Sequence, residues 1–358
     1  MRFSPYREIS HYVLHMAADK IPIIRENGDS VLAQAPVIVS ASRSTDIPGF
    51  YYDWFLHRLQ IGYSAWTNPF NGVKSFVSYK NTRLIVFWSK NPKALLNEGG
   101  LLDYLESKGI NCYIQFTLND YENEKLERNV PSVEERVDTF KRLVDRLGYG
   151  KVIWRFDPLI ITDTTPVTVL LDRVKSIGDQ LKGYTEKLVF SFADIIDYRK
   201  VQSNLQHSHI SYREFTESDM ISFAEGLQQR NQDWNYTLAT CGEKIDIEKY
   251  GIVHNKCIDD DLIIKLFSED EKLMRYLGVE ILPGGDLFNP EKIIIKHNNN
   301  KDKGQRKFCG CIVSKDIGEY NTCVHLCEYC YANSSKERAL SNYQRHRLNP
   351  YSETILGL

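Results

Sequence analysis

Five of the eight cysteines lie within one short stretch of the chain, between residues 309 and 330. They are Cys309, Cys311, Cys323, Cys327 and Cys330. Disulfides usually join distant loops and do not persist in a reducing compartment, whereas thiolates grouped this tightly usually hold a metal. The spacing therefore predicts a metal centre in this part of the chain.

Two kinds of metal centre fit these thiols. A structural zinc site needs four ligands in tetrahedral geometry, and Cys309 with Cys311 and Cys327 with Cys330 could supply them. That assignment leaves Cys323 or His325 spare. A catalytic iron–sulfur cluster instead uses three thiolates and keeps one iron open for another molecule.

The segment CVHLCEYCYAN, residues 323–333, resembles the cluster loop of radical S-adenosylmethionine (radical SAM) enzymes. Its cysteines follow the order C-x3-C-x2-C, and Tyr329 stands directly before the last one. The resemblance implies a 4Fe-4S cluster held by Cys323, Cys327 and Cys330, hereafter the cysteine triad, with S-adenosylmethionine on the open iron. Such enzymes cleave S-adenosylmethionine to a 5′-deoxyadenosyl radical that abstracts hydrogen from a substrate, which the sequence does not identify. An electron donor such as flavodoxin or ferredoxin is then expected as a partner.

The chain before these cysteines alternates between strand-like and helix-like segments. Short β-branched or aromatic runs bounded by turn residues are typical of strands covered on both faces. They are APVIVSAS from Ala35, GYSAWTN from Gly62, TRLIVFWS from Thr82, NCYIQFTL from Asn111, KVIWRFDP from Lys151, KLVFSFAD from Lys187 and NYTLATCG from Asn235, with GVEILPG from Gly278 as a weaker eighth. Amphipathic segments lie between them; in one, Pro131 and Ser132 predict a helix start and Gly148 a stop.

This alternation of strands and helices predicts an α/β fold. We expect a TIM-like (βα) barrel followed by a C-terminal cysteine-rich iron–sulfur loop. An open doubly wound sheet is the alternative. We expect an N-terminal extension at residues 1–34, the barrel at 35–296, and a cluster-binding segment with a tail at 297–358. The polar, lysine-rich stretch from His297 is expected to be an exposed linker.

Polar side chains stand at or just past the ends of most predicted strands, where parallel barrels bind their ligands. The predicted catalytic residues are Arg155, Asp157, Lys90 and Glu243, and the predicted cofactor-binding residues are Arg43, Asp46, Asn68, Gln115 and Tyr329. Each one taken alone is equally explained as an ordinary turn or cap residue. Arg155 and Asp157 carry the most weight, because a charge pair inside an apolar run needs a partner or a ligand.

The other thiols allow a second metal site. Cys241 and Cys257 together with Cys309 and Cys311 could hold zinc or an auxiliary iron–sulfur cluster. Alternatively, Cys241 and Cys257 are small buried apolar side chains and the CGC pair is a loop feature. Cys112, at the start of a predicted strand, is expected in the core.

Several segments resemble the domain-of-unknown-function 1848 family. They are SASRSTDIP, WTNPFN, VFWSKNP, QFTL, WRFDP, CGEK through CID, GQRKFCGC and DIGEYNTCVHLCEYCYAN, and they run from about Val37 to Asn333. That family is described as having a C-terminal cysteine cluster similar to the N-terminal cluster of radical SAM proteins. The resemblance implies such a cluster here but brings no substrate. The cysteine triad also follows the last predicted strand, whereas radical SAM enzymes usually carry it after the first.

Composition narrows the remaining functions. The 358 residues are 42% apolar and carry a formal net charge of -2, which argues against a strongly electrostatic hold on nucleic acid or an anionic membrane. No apolar stretch is long enough to span a bilayer, and the first residues lack a signal-peptide core, so we expect a cytoplasmic protein with no membrane partner.

Two other hypotheses stay open beside the radical SAM enzyme. One is a barrel hydrolase or lyase that uses Arg155, Asp157 and Glu243 as acid and base groups, with a structural zinc site in the tail. The other is a nucleic-acid repair or modification protein resembling spore photoproduct lyase. The substrate would accordingly be a small molecule or a nucleic acid.

Overall fold

A computed structural model describes residues 19–68, 71–285, 290–306 and 308–358. Within these ranges the chain forms sixteen strands. In chain order they are β1 (Asp19–Ile24), β2 (Ser30–Ala35), β3 (Ile38–Ala41), β4 (Tyr63–Thr67), β5 (Lys74–Ser78), β6 (Leu84–Ser89), β7 (Asn111–Thr117), β8 (Val152–Leu159), β9 (Ile161–Thr162), β10 (Lys187–Phe192), β11 (Tyr212–Arg213), β12 (Thr237–Thr240), β13 (Ile252–His254), β14 (Val279–Gly285), β15 (Pro290–Lys296) and β16 (Lys315–Asp316).

The same ranges contain ten α-helices and two short 3-10 helices. The α-helices are α1 (Ile47–Phe50), α2 (Tyr52–Ile61), α3 (Leu101–Ser107), α4 (Val133–Leu147), α5 (Val167–Leu181), α6 (Arg199–His207), α7 (Glu217–Asn231), α8 (Asp260–Phe267), α9 (Glu271–Leu277) and α10 (Lys336–Leu348). The 3-10 helices span Pro92–Leu96 and Glu248–Tyr250. None of the described helices combines the length and the apolar character that crossing a bilayer requires.

Eight strands form one all-parallel sheet in the order β13-β12-β10-β8-β7-β6-β3-β16. The apolar runs of the sequence become its interior strands. All four residues of β3 are buried, for example, and so are five of the six residues of β6. Such continuous burial arises because the sheet is covered on both faces.

The predicted closed barrel is wrong. In the described residues no ladder of hydrogen bonds joins the two edge strands, β13 and β16. One face of the sheet packs against α8 and α9, where Val86 and Tyr113 share a core with Ile263 and Leu273. In a closed barrel that face would be filled by strand side chains alone. The molecule is therefore a mixed α/β protein with an open parallel sheet.

Two predicted barrel strands have other partners. The run from Gly62 forms β4, which pairs antiparallel with β5 in a separate four-stranded sheet of order β1-β2-β5-β4. The run from Gly278 forms β14, which makes an antiparallel hairpin with β15. Conversely, the short strands β13 and β16 complete the central sheet but were not predicted. An apolar run indicates burial and not which strand lies beside it, which explains these errors.

Helix α4 follows its sequence signals. It begins after Ser132, whose hydroxyl accepts a hydrogen bond from Glu135 N at 3.2 Å, and it ends at Gly148. Val137, Phe140 and Leu143 are buried on one face, as the spacing predicts.

The chain segments at the two ends of the described region meet at the four-stranded sheet. β1 and β2 fall in the predicted N-terminal extension, of which residues 1–18 lie outside the described residues. The Glu353 carboxylate accepts hydrogen bonds from Arg25 Nε at 3.0 Å and from the Tyr63 hydroxyl at 2.6 Å. The C-terminal tail thus packs on the small sheet rather than extending into solvent.

Candidate functional site

A cavity of roughly 350 Å³ opens at the carboxyl ends of the central strands. Its walls come from the residues that end or follow β3, β6, β7, β8, β10, β12 and β13, together with the segments before and after β16. Parallel strands place their carboxyl ends at one edge of the sheet, so residues distant in sequence meet there. Seven of the eight cysteines line this cavity: Cys241, Cys257, Cys309, Cys311, Cys323, Cys327 and Cys330. The eighth, Cys112, is buried in the core at the start of β7, as predicted.

The loop that carries the cysteine triad, hereafter the cluster loop, is held by hydrogen bonds on two sides. On the β3 side, the Tyr51 hydroxyl donates to Thr322 O at 2.7 Å, and the hydroxyls of Thr45 and Thr322 lie 2.6 Å apart. On the other side, Asn129 Nδ2 donates to Val324 O at 2.9 Å. The loop therefore has a fixed position over the strand ends without help from the triad itself.

Asp46 holds this loop rather than facing the cavity with a free carboxylate. Its carboxylate accepts hydrogen bonds from Gly49 N at 2.9 Å, Ser89 Oγ at 2.6 Å and Lys90 N at 2.8 Å. His325 Nε2 lies 2.7 Å from the same carboxylate, and His325 is 1% exposed. Burial opposes ionisation of Asp46, but these hydrogen bonds, the one from His325 foremost, hold its pKa below the usual range. The predicted cofactor-binding residue Asp46 thus positions the loop.

Lys90 and Tyr329 line the cavity and share a third partner, Glu127. Lys90 Nζ donates to Glu127 Oε1 at 2.7 Å and to the Tyr329 hydroxyl at 2.9 Å, while Tyr329 also donates to Glu127. Burial opposes ionisation of Glu127, yet Lys90 and Arg136 bring its pKa to about 2. Glu127 was not predicted, because it lies in an irregular polar stretch with no strand or helix period.

Arg155 and Asp157 are paired, as a charge pair in an apolar run requires. Arg155 Nη2 donates to Asp157, and Nη1 donates to Gln115 Oε1 at 3.2 Å and to Cys257 Sγ at 3.3 Å. Asp157 also accepts from the Ser191 hydroxyl. Gln115 does not line the cavity with the described residues; its Nε2 donates to Cys257 O at 2.8 Å. Gln115 therefore positions Arg155 and Cys257.

In the described part of the chain, the Arg43 guanidinium and the Trp88 indole N–H have no hydrogen-bond partner. The guanidinium of Arg43 makes no hydrogen bond or ion pair to the described residues, and it lies 5.1 Å from the centre of the Trp88 ring. Arg155 lies 5.4 Å from the same ring. Trp88 Nε1 is buried and has no hydrogen-bond partner in the described part of the chain. Because a buried unsatisfied donor is costly, both side chains are suited to meet a ligand.

Besides Gln115, two other predicted site residues do not line the cavity in the described structure. Asn68 follows β4 and so belongs with the four-stranded sheet. Glu243 lies one residue past the wall residue Gly242, and its carboxylate accepts from Phe192 N at 2.9 Å. Burial raises the pKa of Glu243 to about 7.

The cavity mouth carries an aromatic pair that was not predicted. The rings of Tyr198 and Tyr331 are 6.0 Å apart and half exposed, and Arg306 lines the cavity beside them. Tyr331 directly follows the last cysteine of the triad, so its place next to the cluster loop was visible in the sequence. Tyr198 lies in a polar stretch before α6 and gave no signal.

The two groups of cysteines differ in their surroundings. Burial raises the pKa of the Cys323 thiol to about 12, although the backbone N–H groups of His325 and Asp46 oppose this rise, and burial raises the pKa of Cys327 and Cys330 as well. By contrast, hydrogen bonds from the Cys241 and Cys311 thiols, with Arg155 nearby, hold the pKa of Cys257 below its usual range.

No three of the described cysteine sulfurs lie within 4.8 Å of one another. The one group of three potential ligands that does meet this distance is Asp259, Asp260 and Asp261, and the last two pair with Lys256 and Lys296. Within the described residues, the cysteine sulfurs therefore do not form a closed site of three or four ligands.

The family model described as "Domain of unknown function (DUF1848)" matches residues 38–332, which is most of the chain. The chain belongs to this family. The matched span begins at β3 and ends just past Cys330, so it contains the whole central sheet and all seven cavity cysteines. No curated protein and no solved structure matches the chain.

Proposed function

We propose that this member of the DUF1848 family is a radical SAM enzyme, with a 4Fe-4S cluster on Cys323, Cys327 and Cys330 and S-adenosylmethionine in the adjoining cavity. The observation that carries the proposal is the position of the triad. Three thiols in C-x3-C-x2-C order lie on the wall of a cavity at the carboxyl ends of a parallel sheet, where α/β proteins bind their ligands.

The donor set suits an iron–sulfur cluster better than a zinc knot. Soft thiolates favour both centres, but a tetrahedral zinc site gathers its ligands around one ion with bonds of about 2.3 Å. The triad supplies three thiolates in C-x3-C-x2-C order, which is the number that holds a 4Fe-4S cluster and leaves one iron open. The backbone N–H groups near Cys323 also supply the hydrogen bonds that such clusters use.

The cavity suits a ligand of the size and polarity of S-adenosylmethionine. Its volume of roughly 350 Å³ lies within the range of about 300–1,000 Å³ that is typical of small-molecule sites. The Arg43 guanidinium makes no hydrogen bond within the described residues and could bind a carboxylate through two parallel hydrogen bonds. Tyr198 and Tyr331 offer aromatic faces on which an adenine or a substrate ring could stack.

When bound, the cluster would supply the electron for reductive cleavage of S-adenosylmethionine, and the resulting radical would abstract hydrogen from the substrate. The protein's own side chains hold and shield the reactants. The Lys90–Glu127–Tyr329 network fixes one wall of the cavity, and the Asp46–His325 contact fixes the loop above it. Shielding from water matters because it prevents side reactions. We further propose a small electron-transfer protein as partner; the substrate is left open.

The acid–base alternative is less well supported. Arg155 and Asp157 are each bound by protein partners, and Glu243 does not line the cavity with the described residues. General acids and bases must reach the proton that they move, and these three groups are already occupied or displaced.

The test is anaerobic reconstitution of the purified chain with iron and sulfide. We expect roughly four irons per triad, lost in the Cys323→Ala, Cys327→Ala, Cys330→Ala triple variant. The reduced protein should also cleave S-adenosylmethionine slowly to 5′-deoxyadenosine and methionine. Cys327→Ala should abolish this cleavage, whereas Cys112→Ala should retain it because Cys112 lies in the core. Uptake of zinc without iron, or equal cleavage by the Cys327 variant at matched iron content, would rule the proposal out.

A further inference from the structure

Four cysteines outside the triad lie on the same cavity wall although they come from three separate segments. Cys241 directly follows β12, Cys257 follows β13, and Cys309 and Cys311 lie in the segment that leads to β16. We call them the second cysteine group. None of them takes part in the function proposed above, and together they place four thiols on the wall of the cavity.

Direct contacts link these cysteines to one another. Cys241 Sγ and Cys257 Sγ are 3.4 Å apart, which is too far for the S–S bond of about 2.05 Å in a disulfide. It is close to the separation of about 3.8 Å between two thiolates on one tetrahedral metal with bonds of about 2.3 Å. Cys311 Sγ accepts a hydrogen bond from Cys257 N at 3.3 Å, so the third cysteine is held beside the second.

The group also has the outer contacts that metal-bound thiolates need. Cys257 Sγ accepts from Asn255 Nδ2 at 3.1 Å and from Arg155 Nη1 at 3.3 Å. Cys311 Sγ accepts a further weak bond from Ile258 N at 3.5 Å. Hydrogen bonds of this kind orient thiolate ligands and tune the metal that they hold.

The charges around the second cysteine group also favour a metal bound by these thiolates. Four thiolates on one divalent metal carry a net charge of -2, which is costly in a buried wall unless cations stand nearby. Arg43 and Arg155 supply two guanidiniums at this wall, both over the Trp88 ring. Cys257 and Cys311 are 3% and 2% exposed, so water does little to stabilise the negative charge of their thiolates.

We propose that Cys241, Cys257, Cys309 and Cys311 form a second metal centre, separate from the triad, that takes a thiolate-preferring metal, either zinc or iron with sulfide. Cys241 and Cys257 are the pair that shares one metal atom. The other sulfurs stand further from this pair, and closing the centre draws Cys309 and Cys311 toward it. The centre does not depend on which metal the triad holds.

The experiment uses the full chain with the triad replaced by alanine, so that any remaining metal belongs to the second group. This variant is purified anaerobically and offered either zinc alone or ferrous iron with sulfide, and its metal is counted by mass spectrometry. We expect one zinc ion per chain, or a thiolate-bound iron–sulfur absorption, in one of the two arms. Cys257→Ser in the same background should remove that metal, whereas Cys112→Ser should keep it.

A second measurement keeps the proposal testable if these variants fold poorly. In the unmodified chain, alkylation with iodoacetamide should spare Cys241, Cys257, Cys309 and Cys311 until a chelator removes the metal. Cys112 is the internal reference, because its protection by burial should not change on chelation. Absence of metal in both arms, or alkylation that is insensitive to the chelator, would overturn the proposal whatever the triad binds.

Discussion

Two buried carboxyl groups on either side of the cluster loop show how local partners decide ionisation. The Asp46 carboxylate accepts three hydrogen bonds and lies beside His325. These contacts keep the pKa of Asp46 low despite its burial. Glu319 is 5% exposed, and burial raises its pKa to about 7 although Lys74 and Arg345 oppose the rise. Glu319 lies between β16 and the triad, and its titration therefore acts on the segment that carries the cluster loop.

We predict that Glu319 makes stability fall as pH rises. The folded protein keeps the Glu319 proton up to about pH 7, while the unfolded chain releases it near pH 4.3, so the stabilising contribution is complete below pH 4.3 and is lost as pH rises through 7. Between pH 5 and pH 8, the free energy of unfolding of Glu319→Gln should rise relative to that of the parent by on the order of 2–3 kcal/mol. Urea denaturation at each pH measures this gain. The exposed residue Glu98 gives the control, since Glu98→Gln should run parallel to the parent; a flat difference for Glu319→Gln would contradict the prediction.

At the scale of elements, the cluster loop is joined to the sheet by close packing at one glycine. Gly318 follows β16, and a Cβ there would lie 1.8 Å from Ser42 Oγ and 2.6 Å from Ser42 Cβ. Ser42 is itself held by Asp316, which accepts its hydroxyl proton at 2.6 Å. The close approach of the two segments thus requires the absence of a side chain at position 318.

Gly318→Ala is expected to displace the cluster loop from β3. Overpacking of this kind typically costs about 1–3 kcal/mol, and the shifted loop should also take up less iron on reconstitution. Denaturation and iron analysis of the same preparation measure both effects. Gly304→Ala is the matched control, because a Cβ there meets only the Asp302 carboxylate at 3.2 Å. If both variants matched the parent in stability and iron content, the close packing at Gly318 would have no role in seating the loop.

The sequence predicted the buried strands and α4 well but not how the strands pair. β3, β6, β7, β8, β10 and β12 all coincide with predicted apolar runs. The run at β4 looks the same in sequence and joins another sheet. Strand pairing depends on contacts between distant segments, such as Lys315 with Val39, which a local pattern cannot contain. The alternation of strands and helices is likewise common to open sheets and closed barrels. The sequence therefore could not show that the two edge strands of the sheet do not pair.

For the site, the sequence predicted which residues line the cavity better than it predicted what each of them does there. The sequence led to Arg43, Lys90, Arg155 and Asp157, and all four line the cavity. It did not show that Asp46 and Gln115 are occupied by protein partners, because these contacts join residues far apart in the chain. Glu127 was missed because it lies in an irregular polar stretch that has neither a strand nor a helix period.

For the molecule as a whole, the hydrophobic core is separate from the triad. The two core clusters contain residues from the central sheet and its helices, and neither contains Cys323, Cys327 or Cys330. Removal of the proposed cluster from the triad should therefore leave the body of the protein folded.

The triple alanine variant of the triad is expected to unfold cooperatively, with a free energy of unfolding within about 2 kcal/mol of the metal-free parent. Phe116→Ala, at a fully buried core position, should cost roughly 3–5 kcal/mol and serves as the contrasting variant. Near-ultraviolet circular dichroism during urea titration reports on both. A triad variant that lacks fixed aromatic signals would mean that the cluster loop is part of the core.

The return of β16 to the side of β3 also fixes a sequence of events during synthesis. The ribosome delivers β3 early and β16 late, so the edge of β3 stays unpaired while the strands from β6 to β13 are being made. Unpaired strand edges invite association between chains. The cysteines at 309–330 are synthesised after the strands from β3 to β13, so the cavity wall is incomplete until this segment has been made. Interruption of synthesis before β16 would therefore leave chains in which the edge of β3 is still unpaired.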